Sequence, residues 1–157
     1  MRLVEVYQES LDVEDITPLR RGLALRAMIA EGMSQREMAS SLGISPFAVS
    51  QQLKTLRDIG AIEPELMVEA AVPILTRVAE DRGYKRLAVF GSVARRDSRA
   101  DSDIDLLVEP PVGTSIGDLL AVRELFSQIV GRPVDLVTYR GLKPQLDDDI
   151  RREAVLL

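Results

Sequence analysis

The 157-residue sequence contains no cysteine and no histidine. The absence of cysteine excludes disulfide bonds and thiolate metal sites. The absence of histidine excludes the Ser-His-Asp and Cys-His triads, and it removes the commonest general base and zinc ligand. An enzyme of this composition must therefore work with carboxylates, hydroxyls, arginine and lysine, and with a hard metal ion if it uses a metal at all.

Long apolar runs are also missing. The longest spans only a few residues, whereas a bilayer-crossing helix needs roughly 20. The N-terminus lacks the apolar core of a signal peptide. We therefore expect a cytoplasmic protein without membrane contact. The net charge of −5 does not predict nucleic-acid affinity for the chain as a whole, although a local basic patch could still supply it.

Two halves of different character meet near Glu63-Pro64. The front half shows helical spacing, whereas the back half alternates short apolar strands with amphipathic helices. The sequence therefore predicts an α+β protein, with an all-α domain over residues 1–63 and an α/β domain over residues 64–157. Residues 1–16 fit either a short strand or a fraying tail.

Helix boundaries are marked by capping residues and prolines. Hydroxyl side chains that can cap a helix, two of them followed by proline, predict three helix starts in the front half. These starts are Thr17-Pro18, Ser34 and Ser45-Pro46. Gly43 is expected to end the second helix and Gly60 the third.

The back half is expected to begin with a helix over residues 64–82, kinked or broken at Pro73. Short apolar segments predict strands at 87–90, 104–108 and 134–137. An amphipathic helix is expected between the last two strands. A final helix is expected from about Lys143 to the end.

Three aspartates of the back half form the strongest chemical signal. Asp103 and Asp105 stand at the head of a strand, on the same side, with Cα atoms about 7 Å apart. Their oxygens can converge on Mg²⁺, which leaves room for water and phosphate. Asp135 lies inside the next apolar strand, where an ionised group is costly without a partner. If the strands pair, three carboxylates share one site, and their repulsion favours a bound cation.

A phosphate-binding turn is predicted just before these aspartates. Gly91 lets the backbone approach a ligand closely, and Ser92 offers a hydroxyl at a helix start. Arg95, Arg96 and Arg99 lie between the two motifs and can meet a triphosphate. By itself, an Asp-x-Asp pair is also common at strand ends and in turns, and the arginines could be solvated loop charges.

Gly91-Ser92, ten intervening residues and Asp103-x-Asp105 resemble the signature of the polymerase-beta-like nucleotidyltransferase superfamily. The stretches 90–96 and 101–108 are similar to its minimal branch, as are the segments 134–137 and 150–155. The resemblance covers about residues 66–157 and implies an α/β domain with a small mixed sheet. It departs at Arg96, where the family commonly has glycine, so we expect a strained turn or an altered phosphate contact there.

The resemblance implies roles for the site residues. Asp103, Asp105 and Asp135 would be the catalytic and metal-binding carboxylates, with Mg²⁺ or Mn²⁺ as the ion. The nucleotide, ATP or another NTP, would be bound by Gly91, Ser92, Arg95 and Arg96. It also implies an antitoxin that modifies a HEPN-type toxin or an RNA acceptor.

The front half reads as a helix-turn-helix, with Ala39 at the helix crossing and Gly43 in the turn. In such a motif the second helix would face the major groove of DNA. Its candidate DNA-binding residues are Ser45, Pro46, Phe47, Ser50, Gln51 and Lys54. Residues 34–58 are only weakly basic, so a homodimer on a two-fold site would bind better than a monomer.

Two alternatives remain open from the sequence. The helical half could be a small bundle used for dimerisation or partner binding. The chain as a whole could be a helix-turn-helix transcription regulator whose nucleotidyltransferase fold is non-catalytic and serves as a ligand sensor or partner surface.

Overall fold

The computed structural model describes residues 2–56 and 59–157, without the side chains of residues 12–15. The helices are α1 (Arg2–Ala30), α2 (Gln35–Leu42), α3 (Pro46–Lys54), α4 (Pro64–Asp81), α5 (Gly91–Arg95), α6 (Ile116–Val130) and α7 (Asp148–Glu153). The strands are β1 (Lys85–Phe90), β2 (Ile104–Glu109), β3 (Val134–Thr138) and β4 (Val155–Leu156). Two short 3-10 helices cover Ile59–Ala61 and Tyr139–Gly141.

The four strands form one small mixed sheet in the order β3-β2-β1-β4. Strand β1 runs antiparallel to both β2 and β4, whereas β2 and β3 run parallel to each other. Helix α6 connects β2 to β3, as a parallel pair requires, and it is the helix expected between the last two predicted strands. The small mixed sheet predicted for the back half is therefore confirmed.

The two faces of the sheet are buried by different elements. Alternate residues of β2, namely Ile104, Leu106 and Val108, belong to the main core, which also takes in residues of α1, α4 and α6. Leu107 points the other way, into a smaller cluster with Phe90. The predicted alternation along β2 is confirmed, and its aspartate lies on the less heavily covered face.

Helix α1 corrects the expectation for the N-terminal segment. Residues 2–16 are helical rather than a strand or a frayed tail, and Pro18 lies inside α1 instead of beginning it. A proline inside a helix costs about 3 kcal/mol. Here Ile16, Leu19 and Leu23 are buried in the main core on both sides of Pro18, so packing outweighs that cost.

Helix α1 is shared by two apolar clusters. Leu19 and Leu23 pack in the main core, whereas Leu25 packs with Met38 and Val49 of the α2–α3 pair. The Nε of Arg26 donates to the Ile129 carbonyl oxygen at 2.9 Å, and the Nε of Arg20 donates to that of Ala70 at 3.0 Å. The front helices are thus fixed to α4 and α6, and the domain boundary at 63/64 stays a prediction.

The α2–α3 pair has the expected caps. The hydroxyl of Ser34 accepts from the Glu37 N–H at 3.1 Å, and that of Ser45 accepts from the Ala48 N–H at 3.0 Å. Gly43 takes the left-handed conformation between the two helices, at φ +67°.

The expected end of the third helix at Gly60 is wrong. Helix α3 ends at Lys54, and Gly60 lies in a 3-10 turn. The chain turns early because Leu56 must reach the main core, where it packs against Gly22 of α1.

Two expectations for the back half also need correction. Helix α4 is continuous through the exposed Pro73, so the break expected as one alternative there is wrong and the kink stays a prediction. The final helix does not run from Lys143 to the end, because α7 is only 6 residues long and the tail becomes β4. In β4, Val155 and Leu156 pair with Val89 and Ala88, so the tail covers the edge of β1 that would otherwise be unpaired.

Among the described residues, no helix combines the length and apolar character needed to cross a bilayer.

Candidate active site

The predicted carboxylates meet at one end of the parallel strand pair. Asp105 on β2 and Asp135 on β3 are register partners, and Asp103 lies just before β2. Asp105 is half-buried, whereas Asp103 and Asp135 are exposed. The expectation that Asp135 would be buried inside its strand is wrong, because Val134 and Leu136 take the core face and turn Asp135 outward.

The pKa of Asp105 is strongly raised. Burial, helped by the nearby charges of Asp135 and Asp103 and opposed by Arg95, raises the pKa of Asp105 to about 6. Removing an ionised carboxylate from water and placing it among like charges both favour its protonated form. A cation at this position would relieve both penalties, so the electrostatics fit a metal or phosphate-bound metal site.

Gly91 lies against Asp105 with no room for a side chain. Its backbone has φ +71°, and a Cβ built there would clash with the Asp105 Oδ2 atom. Glycine adopts this φ without steric cost, and its lack of a Cβ allows this approach. Helix α5 begins at Gly91, so Ser92 occupies its first turn with a half-buried side chain. The structure therefore brings the predicted turn and the predicted aspartates together.

The three arginines between the motifs lie in different surroundings. Arg95 contacts Glu153, with Nη1 and Oε2 3.0 Å apart, and its Nε donates to Asp97 at 3.2 Å. Arg96 is exposed and takes the left-handed conformation, φ +60° and ψ +34°, at the end of α5. This conformation explains the strain expected there, because glycine accepts it without steric cost. Arg99 is also exposed.

Glu153 is a site residue that the sequence reasoning did not select. Its Oε1 accepts the Gly91 N–H at 3.0 Å, and its Oε2 accepts from Arg95. Its one sequence signal was that residues 150–155 resemble the end of a nucleotidyltransferase domain. That resemblance gave Glu153 no role. Pairing of β4 with β1 brings it to the site, and that long-range pairing has no local sequence marker.

Arg132 donates hydrogen bonds to the loop that carries Asp103. The Nη1 of Arg132 donates to the Ala100 carbonyl oxygen at 3.3 Å and to that of Ser102 at 3.5 Å. Its Nη2 donates to the Ile62 carbonyl oxygen, in the segment before α4. Arg132 is buried, so these bonds tie the front of α4 to the Asp103 loop.

A metal ion here would need ligands beyond the protein. Among the side chains that the structure describes, those of residues 2–11, 16–56 and 59–157, no three acidic groups converge closely enough to surround a metal ion. Magnesium is commonly held by only one or two carboxylates together with substrate phosphates and water. Asp103 and Asp105 beside the Gly91-Ser92 turn fit that arrangement, in which the nucleotide supplies the remaining oxygens.

A large cavity lies away from these carboxylates. A cavity of about 660 Å³ lies at the opposite end of β2 and β3, lined by residues such as Glu109 and Tyr139. It contains none of the predicted site residues, so the chemistry of the carboxylates gives the stronger indication of the active site.

The candidate DNA-binding residues lie on α3 or, for Ser45, at its N-cap. Phe47, Gln51 and Lys54 are exposed, Phe47 with 71% of its surface accessible, and their spacing places them along one side of the helix. Ser50 is partly buried, and the Ser45 hydroxyl caps the helix. Pro46 is the exposed first residue of α3.

Known proteins resemble the back half of this chain. The family model described as the nucleotidyltransferase domain matches residues 73–157. A protein of Methanocaldococcus jannaschii that carries a protein adenylyltransferase name is 40% identical over 84 residues, covering 54% of this chain and 86% of the relative. The protein adenylyltransferase MntA of Thermococcus cleftensis is 32% identical over 94 residues, covering 57% of this chain and 95% of the relative.

A solved structure titled as a minimal nucleotidyltransferase superposes with a TM-score of 0.55 and 35% identity. The match covers 60% of this chain and 97% of the solved one. Helices α1–α3 lie outside the 73–157 match of the family model.

Proposed function

The chain belongs to the nucleotidyltransferase domain family, and we propose that it transfers AMP from ATP to a hydroxyl group of a protein acceptor. The observation that carries this proposal is the meeting of Asp103, Asp105 and Asp135 beside the Gly91-Ser92 turn. The names of the two adenylyltransferase relatives support AMP and a protein acceptor, and an RNA acceptor is the alternative.

The carboxylates would hold the divalent ion, Mg²⁺ or Mn²⁺. When bound, such an ion neutralises charge on the phosphates and stabilises charge that develops at the α-phosphate. Asp105 and Asp103, whose charge acts on Asp105, would supply its protein ligands. Asp135, the neighbour of Asp105 on the next strand, would complete the ligand set or act as the general base.

The turn and the arginines would orient the triphosphate. The backbone at Gly91 and the hydroxyl of Ser92 can approach phosphate oxygens, and Arg95 and Arg96 carry matching positive charge. The acceptor hydroxyl oxygen then forms a bond to the α-phosphorus, the bond from that phosphorus to the bridging oxygen breaks, and pyrophosphate leaves. Asp135 would take the hydroxyl proton in the base role.

The test is label transfer from ATP labelled at the α-phosphate, with Mg²⁺ and candidate acceptors, among them a HEPN-type protein and its RNA target. We expect label on the protein acceptor with the wild type and at least about a hundredfold less with Asp103→Asn or Asp105→Asn. Equal labelling by wild type and both variants would contradict catalysis at this site.

A second proposed function is DNA binding by the front half, which would let an antitoxin repress its own operon. The observation that favours it is the exposed row of Phe47, Gln51 and Lys54 on α3. Homodimerisation would double the few phosphate contacts.

Footprinting on the protein's own promoter tests DNA binding. We expect Gln51→Ala and Lys54→Ala to weaken protection and Asp105→Asn to leave it unchanged. If that pattern holds and no label transfer is found, the non-catalytic regulator is the better description. An unprotected promoter would argue against repression.

A further inference from the structure

Glu153 adds a negative charge next to the carboxylates of the candidate active site. It joins Asp103, Asp105 and Asp135, and it is one of the charges that raise the pKa of Asp105. A fourth carboxylate would add repulsion if it had no compensating contacts. Its side chain is only 21% exposed, and both of its oxygens are used, one by a backbone N–H and one by a guanidinium.

The two partners of Glu153 are the two parts of the proposed phosphate-binding turn. The Gly91 N–H begins the turn, and Arg95 ends helix α5. One carboxylate therefore spans α5 from its first residue to its last. Because Gly91 packs directly on the Asp105 carboxylate, movement of this turn would also displace Asp105.

Glu153 itself is held on a rigid support. Val155 pairs with Val89 of β1, and the Leu157 N–H donates to the Leu87 carbonyl oxygen at 2.9 Å. These sheet contacts begin two residues after Glu153. The position of its carboxylate is therefore set by the central sheet and not by a free tail.

We propose that Glu153 is a positioning residue that fixes the Gly91-Ser92 turn and aims Arg95 at the triphosphate of the bound nucleotide. Without Glu153, the ion pair left to Arg95 would be the one with the exposed Asp97. The guanidinium of Arg95 would then turn away from Asp105. This role rests on the proposed function, because it requires that the turn binds a nucleoside triphosphate.

The test compares ATP binding, KM and kcat for wild type, Glu153→Ala and Glu153→Gln in Mg²⁺. We expect Glu153→Ala to bind ATP about tenfold more weakly, the size of one lost charge-assisted hydrogen bond. Glu153→Gln should lose less, because its amide oxygen still accepts the Gly91 N–H. The effect should fall mainly on KM. Asp149→Asn is the matched control, since Asp149 is an exposed carboxylate of the same helix whose ion pair is with Arg152.

A double-mutant cycle with Arg95→Ala separates positioning from general stability. If Glu153 acts through Arg95, Glu153→Ala should cost little further ATP affinity once Arg95 is gone. Unchanged binding in both Glu153 variants, or fully additive losses in the cycle, would overturn the proposal. Tighter ATP binding by Glu153→Ala would also overturn it, because Glu153 would then compete with phosphate.

Folding and the underlying function are checked separately. A thermal unfolding curve shows whether Glu153→Ala is folded, and if it is not, the isosteric Glu153→Gln decides by the same ATP-binding comparison. Wild-type protein that binds no ATP would contradict the proposed function itself. Wild-type protein that binds ATP as well as its Glu153 variants do would contradict the positioning role alone.

Discussion

Asp105 and Asp135 occupy the same register on neighbouring parallel strands and face the same side of the sheet. Strands in a sheet are about 4.8 Å apart, so the two carboxylates are close enough to oppose each other's ionisation. Burial and this neighbour raise the pKa of Asp105 to about 6. The ionisation of Asp105 should therefore respond both to pH and to a bound cation.

The first prediction concerns the pH dependence of transfer. Asp105 must lose its proton to bind a cation, so activity should rise with pH through about 6. Higher Mg²⁺ should move this rise to lower pH, because the cation competes with the proton. The measurement is kcat/KM against pH at two Mg²⁺ concentrations. An acid limb that stays in place as Mg²⁺ increases would speak against Asp105 as the titrating ligand.

The second prediction concerns stability without metal. The pKa of Asp105 is higher in the folded chain than in the unfolded one, so the folded state gains stability from this group below about pH 4 and loses it as pH rises through about 6. Asp105→Asn should therefore raise the free energy of unfolding by about 1 kcal/mol at pH 8, a figure reduced for solvent screening of a half-exposed group. At pH 3.5 the difference should vanish. Urea unfolding at both pH values measures it, with the exposed Glu80→Gln as control.

The third prediction concerns Arg96. Its left-handed backbone costs a residue with a Cβ about 1 kcal/mol, and glycine avoids this cost. Arg96→Gly should therefore be more stable than Arg96→Ala by about 1 kcal/mol in urea unfolding. Both variants lack the charge, so comparing them isolates the backbone. Equal stabilities would mean that the turn relaxes around the side chain.

The fourth prediction concerns Gly91. Gly91→Ala places a Cβ against the Asp105 carboxylate in addition to straining the backbone, so it should abolish transfer and lower the unfolding temperature. Gly113→Ala is the matched control, because Gly113 has φ +88° and nothing within 4 Å of an added Cβ. It should show the strain alone and retain transfer. Equal loss of transfer in the two variants would show that contact with Asp105 is unimportant.

The fifth prediction concerns Arg132. Arg132→Met removes its hydrogen bonds to the Ile62, Ala100 and Ser102 carbonyl oxygens, so it should destabilise the chain by about 2 kcal/mol and reduce transfer. Arg77→Met should change stability by less than about 0.5 kcal/mol, because its ion pair with Asp81 is exposed. Urea unfolding and label transfer report the two effects. Full activity in Arg132→Met would show that the Asp103 loop holds its position independently.

Local sequence patterns predicted the parts of the site that are local in the chain. Alternation placed Ile104 in the core and Asp105 on the opposite face. The family resemblance, with glycine usual at the position of Arg96, predicted a strained turn, and Arg96 is left-handed in the structure. The shared carboxylate site was predicted only if β2 paired with β3, and the two strands do pair in the structure. The functional roles of these residues remain predictions.

Long-range pairings were beyond local reasoning. Glu153 reaches Gly91 across 62 residues, and only the pairing of β4 with β1 makes that possible. Proline at position 18 read locally as a helix start, yet burial on both sides of it keeps α1 continuous. In each case, contacts distant in sequence outweighed the local preference.

Helix α1 also determines how the chain can be divided. Ile16, Leu19, Leu23 and Ala27 supply part of the wall against which α4 and α6 pack, although they lie far before the 63/64 boundary. A fragment of residues 64–157 would lack that wall and expose the apolar faces of α4 and α6 to water, so it should be less soluble and easier to denature than the intact chain. Both halves should accordingly melt in a single cooperative transition, and proteolysis near residue 63 should weaken the catalytic half along with the helical one.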